Sequence, residues 1–205
     1  MKRRTMKKRY DIFVGIDEVG RGPLAGPLVV SAFLVKKEHE EFVFSSLVGI
    51  RDSKKLSPQK RSDFFQKMYE LKKRAFLDIF ISSISAKEID CEGLSTSLKK
   101  ALRDLLKKIR KKYPKERIFY FLDGSLYLEE EEHQETLIRG DEKNLYISAA
   151  SVYAKVYRDR KMINYAKKYP NYAFEKHKGY GTAFHREQIK KYGPCDIHRK
   201  TWIKD

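Results

Sequence analysis

Short apolar runs and longer segments of mixed polarity alternate along the chain, a pattern typical of α/β proteins. Four of the runs are rich in Val, Ile, Leu and Phe and are bounded by turn-forming or charged residues, so we predict that they form β-strands. These runs are residues 10–16, 28–35, 75–84 and 117–122. The first two flank the turn-rich segment 20–27 (GRGPLAGP), and we expect them to pair.

Other segments carry the periodicity or the end signals of α-helices. One apolar stripe repeats at steps of three and four residues, with lysine and arginine on the opposite face. Ser57 and Pro58 form an N-cap followed by proline at the first helical position. Helices are predicted over residues 59–72, 94–109, 147–168 and 183–192. We therefore expect a mixed central sheet flanked by helices, with additional helices near the C-terminal end.

The charge balance changes this picture of a plain α/β domain. The chain has 205 residues, with 45 Lys and Arg against 28 Asp and Glu, which leaves a net charge of +17 at pH 7. Such a charge attracts polyanions, and nucleic acid is the first partner to consider, although a merely solvated basic surface remains an alternative. Residues 1–9 form a basic arm that either contacts phosphate or stays in solvent, and residues 10–205 are expected to form one domain.

Cysteine spacing and hydropathy bear on the compartment. Cys91 and Cys195 show neither the spacing of a zinc site nor that of a disulfide framework. The basic arm is not followed by the apolar stretch of a signal peptide, and no run approaches the ~18 apolar residues of a membrane span. We therefore expect a cytoplasmic protein without membrane association, and a monomer.

Acidic residues stand where the predicted strands end. Asp17 and Glu18 follow the first apolar run, Asp123 follows the run 117–122, and Asp141 is expected in a loop before the long helix. Hard cations such as Mg²⁺ take oxygen ligands, and a cation would offset the repulsion among converging carboxylates. Each acid alone has a structural explanation as a cap or turn residue, so the set rather than any member indicates a metal site.

Three of these acids, Asp17, Glu18 and Asp123, lie in segments that resemble the signature of the type II ribonuclease H family. The resemblance begins with GIDEVGRGPLAGP and follows the family's order over nearly the whole chain. The matching segments are residues 15–27, 52–57, 122–124, 147–151, 154–156, 158–159, 177–182 and 198–199. One departure is the segment 89–94, which lacks an asparagine that the family often has there.

The resemblance implies a ribonuclease H-like fold and a metal-dependent endonuclease. Its expected substrates are RNA–DNA hybrids and duplex DNA with a single embedded ribonucleotide, which is cut on the 5′ side to leave 5′-phosphate and 3′-hydroxyl ends. The implied catalytic metal ligands are Asp17, Glu18, Asp123 and Asp141. Two Mg²⁺ or Mn²⁺ ions would lie ~4 Å apart. Asp17 is the candidate for the ligand that bridges them.

The resemblance also implies residues that bind the substrate. The main chain of Gly20, Arg21 and Gly22 would sense the ribose 2′-hydroxyl, and glycine allows such a close approach because it has no Cβ. Tyr180 would stack on the sugar that follows the ribonucleotide and would thereby favour an RNA-to-DNA junction. A turn-forming role for the glycines and a packing role for the tyrosine are the structural alternatives.

Two lysines and two rival functions complete the expectations. Lys54 and Lys55 are expected to bind phosphate, although exposed lysines are often only solvated. One rival is a nucleic-acid binding module without catalysis, which would bind but never cleave when Mg²⁺ or Mn²⁺ is added. The other is a related nuclease that acts on DNA with the same metal chemistry and a different selection of the sugar.

Overall fold

A mixed sheet of five strands lies at the centre of the residues that the computed structural model describes, which are 9–50, 56–131 and 133–203. Its order is β3-β2-β1-β4-β5. The strands are β1 (Ile12–Val19), β2 (Leu28–Lys36), β3 (Leu77–Ile84), β4 (Ile118–Asp123) and β5 (Gln134–Leu137). Strand β2 is antiparallel to β1 and β3, whereas β4 is parallel to β1 and β5.

Helices cover both faces of this sheet, and four of them follow β5 in the chain. They are α1 (Glu40–Ser46), α2 (Pro58–Lys73), α3 (Ala86–Glu92), α4 (Leu94–Lys112), α5 (Gly140–Lys143), α6 (Leu145–Lys168), α7 (Phe174–His177) and α8 (Ala183–Tyr192). The described part of the chain holds no helix with the length and apolar character that crossing a bilayer requires.

The side chains of β1 alternate between two cores, as the pleat of a strand requires. Ile12, Val14 and Ile16 pack with the apolar stripe of α4 on one face. Phe13 points to the other face, where α2 and α6 supply Phe65 and other buried side chains. Because both faces of β1 are buried, the position of the strand is set from two sides.

Helix α6 lies in direct contact with the middle of β1. A Cβ atom at Gly15 would come within 2.1 Å of the main-chain carbonyl carbon of Tyr146. The side-chain oxygen of Asn144 caps this helix and accepts a hydrogen bond from the Tyr146 N–H at 2.9 Å. The missing side chain at Gly15 thus allows the first turn of α6 to lie directly against the strand that carries Asp17 and Glu18.

The predicted sheet and its main helices are confirmed, with small shifts at their ends. Helix α8 has the predicted bounds, and β1 and β2 pair as expected. Strand β1 continues to Val19, so Asp17 and Glu18 lie inside the strand, because pairing with β2 extends past the end of the apolar run. The prediction of a loop around Asp141 was wrong, since this residue lies in the short helix α5.

Several short elements were not predicted. Strand β5 has the mostly polar sequence QETL and lies at the edge of the sheet. An edge strand pairs with a neighbour on one side only and does not need an apolar pattern. Helix α3 has a signal that the sequence does contain, a capping box in which Ser85 and Glu88 bond each other's main chain. Its seven residues are too few for a visible apolar stripe.

Candidate active site

The parallel strands β1 and β4 bring three of the predicted carboxylates to one edge of the sheet. Ile16 pairs with Leu122, so Asp17 and Asp123, each the next residue of its strand, lie side by side. Pairing between the two strands ends there, while β1 continues along β2 to Val19. A cavity of about 530 Å³ opens at this edge and is lined by Asp17, Glu18, Val19, Gly20, Arg21, Gly22, Arg61, Asp123, Ser151, Lys155 and Tyr180.

Asp17 and Glu18 are buried carboxylates close to other negative charge. Burial raises the pKa of Asp17 well above its ordinary value, and the charges of Glu18 and Asp123 raise it further, whereas a hydrogen bond with Ser151 opposes this shift. Burial also raises the pKa of Glu18, against the hydrogen bond and charge of Arg21. Arg21 Nη1 donates to Glu18 Oε1 at 3.1 Å. Without a cation, these carboxylates are therefore costly to ionise together.

Asp123 and Asp141 are linked through the start of α5. The main-chain N–H of Gly140 donates to Asp123 Oδ1 at 2.6 Å, which places α5 beside the end of β4. Asp141 is only 1% exposed, and its main-chain carbonyl accepts from Ser148 Oγ at 2.5 Å. Its buried side chain is not among those that line the cavity. The structure thus brings three of the four predicted ligands to the cavity wall, whereas Asp141 follows the Gly140 whose N–H bonds Asp123.

The donor set fits a divalent cation, although no preformed cage is present. Within residues 9–50, 56–131 and 133–203, no three His, Cys, Asp or Glu side chains are grouped closely enough to hold an ion as they stand. Glu18 Oε2 is nevertheless buried without a hydrogen-bond partner in this part of the chain, which a ligand would satisfy. Hard oxygen donors with raised pKa values are the groups that a bound cation would neutralise.

The glycine-rich loop forms a second wall of the cavity. Gly20, Arg21 and Gly22 all line it, directly after the carboxylates of β1. No heavy atom lies within 4 Å of the position that a Cβ at Gly22 would take, so open space borders this residue. Gly20 has φ +93°, and a Cβ there would come within 2.5 Å of the Pro27 oxygen. At Gly22 the loop thus presents bare main chain to the cavity.

Tyr180 faces the same cavity from the C-terminal region, and a chain of histidines holds its main chain. The ring is 43% exposed. The Tyr180 carbonyl accepts from His185 Nδ1 at 2.9 Å, and His185 Nε2 in turn pairs with His198 Nε2 at 3.0 Å. His198 Nδ1 accepts from the Cys195 N–H at 2.9 Å, so this histidine carries its proton on Nε2 and donates to His185. All the hydrogen bonds of this histidine pair can form together only when both rings are neutral.

We expect this histidine pair to make the fold less stable in acid. Burial lowers the pKa of His185 and of His198 to about 4, and the charges of His177 and, for His185, Arg186 act in the same direction. In the unfolded chain both rings titrate near pH ~6.5, so the unfolded state binds protons first. The stability that the neutral pair contributes is complete above pH ~6.5 and is lost as the pH falls toward about 4.

Urea unfolding between pH 7 and 4.5 measures this loss. Wild type should lose free energy of unfolding over that range, and His185→Asn, which removes one ring of the pair, should lose less. His133→Gln, which changes an exposed histidine, is the control and should follow the wild type. Parallel curves for wild type and His185→Asn would contradict the assignment.

Sequence reasoning gave no role to three side chains in the cavity wall. Arg61 comes from α2, and Ser151 and Lys155 come from one face of α6, four residues apart. Lys155 Nζ also pairs with Asp159 at 2.8 Å. Helical spacing in α6 could have placed Ser151 and Lys155 together, but nothing local shows which face meets the sheet edge. Lys54 and Lys55, which were predicted to bind phosphate, lie outside the described residues.

Comparison with known proteins agrees with this arrangement. The family model described as Ribonuclease HII matches residues 14–205. Ribonuclease HII of Sulfurihydrogenibium sp. (strain YO3AOP1) is 38% identical over 98% of this chain and 95% of its own length. The Bacillus subtilis (strain 168) protein of the same name is 39% identical over 98% of this chain and 73% of its own. The crystal structure of ribonuclease H2 from Pyrococcus horikoshii OT3 superposes with a TM-score of 0.71 and 27% identity, covering 93% of each chain.

Proposed function

Because the chain belongs to the ribonuclease HII family, whose members are metal-dependent endoribonucleases acting on RNA–DNA hybrids, we propose that it also cuts 5′ of single ribonucleotides embedded in duplex DNA. The observation that carries the proposal is one cavity in which buried carboxylates and bare glycine main chain form adjoining walls. The carboxylates suit the cutting chemistry, and the glycines suit recognition of a sugar. We further propose that residues 10–205 act as a single catalytic domain, as a monomer in the cytoplasm.

The cutting chemistry is proposed to depend on two divalent cations, Mg²⁺ or Mn²⁺. Asp17, Glu18 and Asp123 would hold them, with Asp17 shared, and Asp141 would join from the start of α5. When bound, such cations activate an attacking water and stabilise charge on the leaving 3′ oxygen. Arg21 offsets part of the charge of Glu18, and Lys155 adds positive charge to the cavity wall, where it would attract a phosphodiester. The products would carry 5′-phosphate and 3′-hydroxyl ends.

Recognition of the ribonucleotide is proposed to rest on the glycine loop and on Tyr180. Main-chain groups of Gly20, Arg21 and Gly22 would contact the 2′-hydroxyl, the group that distinguishes RNA from DNA. The half-exposed ring of Tyr180 would stack on the following deoxyribose. The two elements border one cavity, so a single substrate could contact both.

A methyl group at Gly22 should impair the enzyme without harming the fold. No heavy atom lies within 4 Å of the Cβ position, and the main-chain φ there is an ordinary one, so Gly22→Ala should leave the free energy of unfolding unchanged. If the sugar approaches Gly22, the methyl group blocks it, and we expect a loss of about tenfold to a hundredfold in kcat/KM on a single-ribonucleotide duplex. Normal cleavage kinetics in Gly22→Ala would exclude this contact.

Tyr180→Ala should reduce preference for the junction more than it reduces affinity for nucleic acid. Tyr180 is 43% exposed, so removing its ring costs little stability, while aromatic stacking on a nucleobase is worth ~1–3 kcal/mol and sets the scale for a contact with the sugar. The measurement compares kcat/KM on an RNA–DNA junction with that on a uniform hybrid. Tyr192→Ala changes another exposed tyrosine away from the cavity and serves as the control. Equal losses of Tyr180→Ala on both substrates would argue against stacking.

The central experiment maps the cut in three otherwise identical duplexes. One is all DNA, one holds a single ribonucleotide and one is a uniform hybrid, each incubated with Mg²⁺, with Mn²⁺ or with EDTA. We expect cleavage of the second and third only, with the cut 5′ of the lone ribonucleotide and only when a divalent ion is present. Binding without any cleavage would favour a nucleic-acid binding module, and cleavage of the all-DNA duplex would favour a DNA-directed nuclease.

A further inference from the structure

Two fully buried arginines, neither of which lines the cavity, bind the main chain of residues 20–27. Arg158 and Arg199 are each 0% exposed, and neither forms an ion pair within the described residues. Burial and the nearby charge of Arg158 lower the pKa of Arg199 to about 10, so it stays cationic at neutral pH. A buried cation without a counter-ion is costly and needs full hydrogen bonding. Main-chain carbonyl oxygens accept the hydrogen bonds of both guanidinium groups.

Arg199 bonds to the proposed ribose-sensing segment itself. Its Nη1 donates to the Arg21 carbonyl at 2.8 Å, and its Nη2 donates to the carbonyls of Gly20 at 2.5 Å and Gly26 at 3.1 Å. Arg158 instead bonds outside that segment, to the carbonyls of Ala25, Pro27 and Lys178. Of the two arginines, Arg199 is therefore the one that holds the peptide groups beginning with Gly20 and Arg21.

Because a peptide group is planar, a bond that holds its carbonyl also fixes the direction of its N–H. The described bonds include no cis peptide, so each carbonyl points opposite to the N–H of the next residue. With the carbonyls of Gly20 and Arg21 held on the guanidinium, the N–H groups of Arg21 and Gly22 point away from it. Arg199 does not line the cavity, whereas Arg21 and Gly22 do. The N–H groups of Arg21 and Gly22 are thus directed away from Arg199, and both residues border the space that a substrate would occupy.

The guanidinium is itself held in place. The Arg199 N–H donates to the Leu24 carbonyl at 2.8 Å, and the Gly26 N–H donates to the Ile197 carbonyl at 2.8 Å. The ring of Trp202 lies 4.8 Å from the guanidinium carbon. The C-terminal segment is therefore tied to the loop by main chain as well as by side chain, which makes Arg199 a rigid support.

We propose that Arg199 is a positioning residue for sugar selection: it holds the peptides after Gly20 and Arg21 so that their N–H groups can contact a ribose hydroxyl. The inference rests on the proposed function, since it assumes that this loop contacts the sugar. Lysine cannot replace the arginine in this role, because a single ammonium cannot bond these carbonyls in the fixed geometry of a guanidinium fork.

Binding in EDTA tests the proposal separately from cleavage. Fluorescence anisotropy measures Kd for a duplex with one ribonucleotide and for the same duplex in all-DNA form. We define the Kd ratio as the Kd of the all-DNA duplex divided by the Kd of the ribonucleotide duplex. We expect Arg199→Lys to reduce this ratio by about threefold to tenfold, the worth of one hydrogen bond. With Mg²⁺ present, KM on the single-ribonucleotide duplex should rise more than kcat falls. The control is Arg110→Lys, which removes the paired hydrogen bonds of an arginine to Glu131 away from the loop. It should lower stability without changing the Kd ratio.

A second variant keeps the proposal testable if Arg199→Lys does not fold. Trp202→Leu removes the ring that packs on the Arg199 guanidinium but leaves the charge of Arg199 in place. It should also reduce the Kd ratio, by about twofold. An unchanged ratio in the folded variants, with wild type still cleaving at the ribonucleotide, would overturn the role of Arg199 and leave the proposed function intact. A wild type with no preference for the ribonucleotide in binding or cleavage would overturn both.

Discussion

Asp17→Asn should lower the cleavage rate by about 10³-fold or more while the protein stays folded. Asparagine keeps the size of the side chain but removes the charge that would bind two cations, and such cations contribute several kcal/mol to stabilising the transition state. Single-turnover cleavage of a uniform hybrid with saturating Mg²⁺ or Mn²⁺ measures this loss. Asp123→Asn, at the matching position of β4, should behave alike.

The same substitution should not destabilise the fold. Burial and the charges of Glu18 and Asp123 raise the pKa of Asp17, so ionising this side chain is harder in the metal-free fold than in the unfolded chain. Removing that charge should leave the free energy of unfolding equal or raise it by about 1 kcal/mol in metal-free buffer. Loss of activity together with unfolding would mean that Asp17 is structural.

Asp11→Asn provides the matched control, because Asp11 lies just before the other end of the same strand. Its carboxylate forms an exposed pair with Arg117, and that hydrogen-bonded guanidinium holds the pKa of Asp11 at about 2. Losing this pair should weaken the fold slightly and leave cleavage unchanged. Metal-dependent cutting at a normal rate by Asp17→Asn would refute the assignment of that residue.

Gly15→Ala should have the largest effect on stability. The new methyl group would lie 2.1 Å from the carbonyl carbon and 2.2 Å from the carbonyl oxygen of Tyr146, and 2.5 Å from the Ile147 nitrogen. These are main-chain atoms in the first turn of α6, so they cannot rotate away as a side chain could. We expect a loss of about 3 kcal/mol or more, or failure to accumulate as folded protein.

Urea unfolding checks this expectation, with Gly22→Ala as the control. The control makes the same chemical change where no heavy atom lies within 4 Å, so its midpoint should match that of the wild type. Any folded Gly15→Ala protein should also cleave slowly, because α6 supplies Ser151 and Lys155 to the cavity. Equal midpoints for the two variants would show that β1 and α6 can separate at little cost.

Local chemistry in the sequence was enough to predict most of the secondary structure. The hydroxyl of Thr182 caps the start of α8, and Gly193 with φ +73° ends it, so both ends were visible to reasoning over a few residues. The apolar stripe of α4 was equally clear, since one face is buried along its length. The polar edge strand β5 and the short α1 and α7 carry no such periodicity and were missed.

The sequence by itself determined that acidic residues stand near the ends of the predicted strands. Its resemblance to a family indicated which of these residues to combine into one metal site. Only the tertiary structure decided that parallel pairing of β1 with β4 puts Asp17 beside Asp123, that Asp141 is buried, and that Arg199 bonds the main chain of the glycine loop. The reason is physical: caps and periodicity depend on near neighbours in the chain, whereas burial and convergence depend on segments far apart in sequence that meet only after packing.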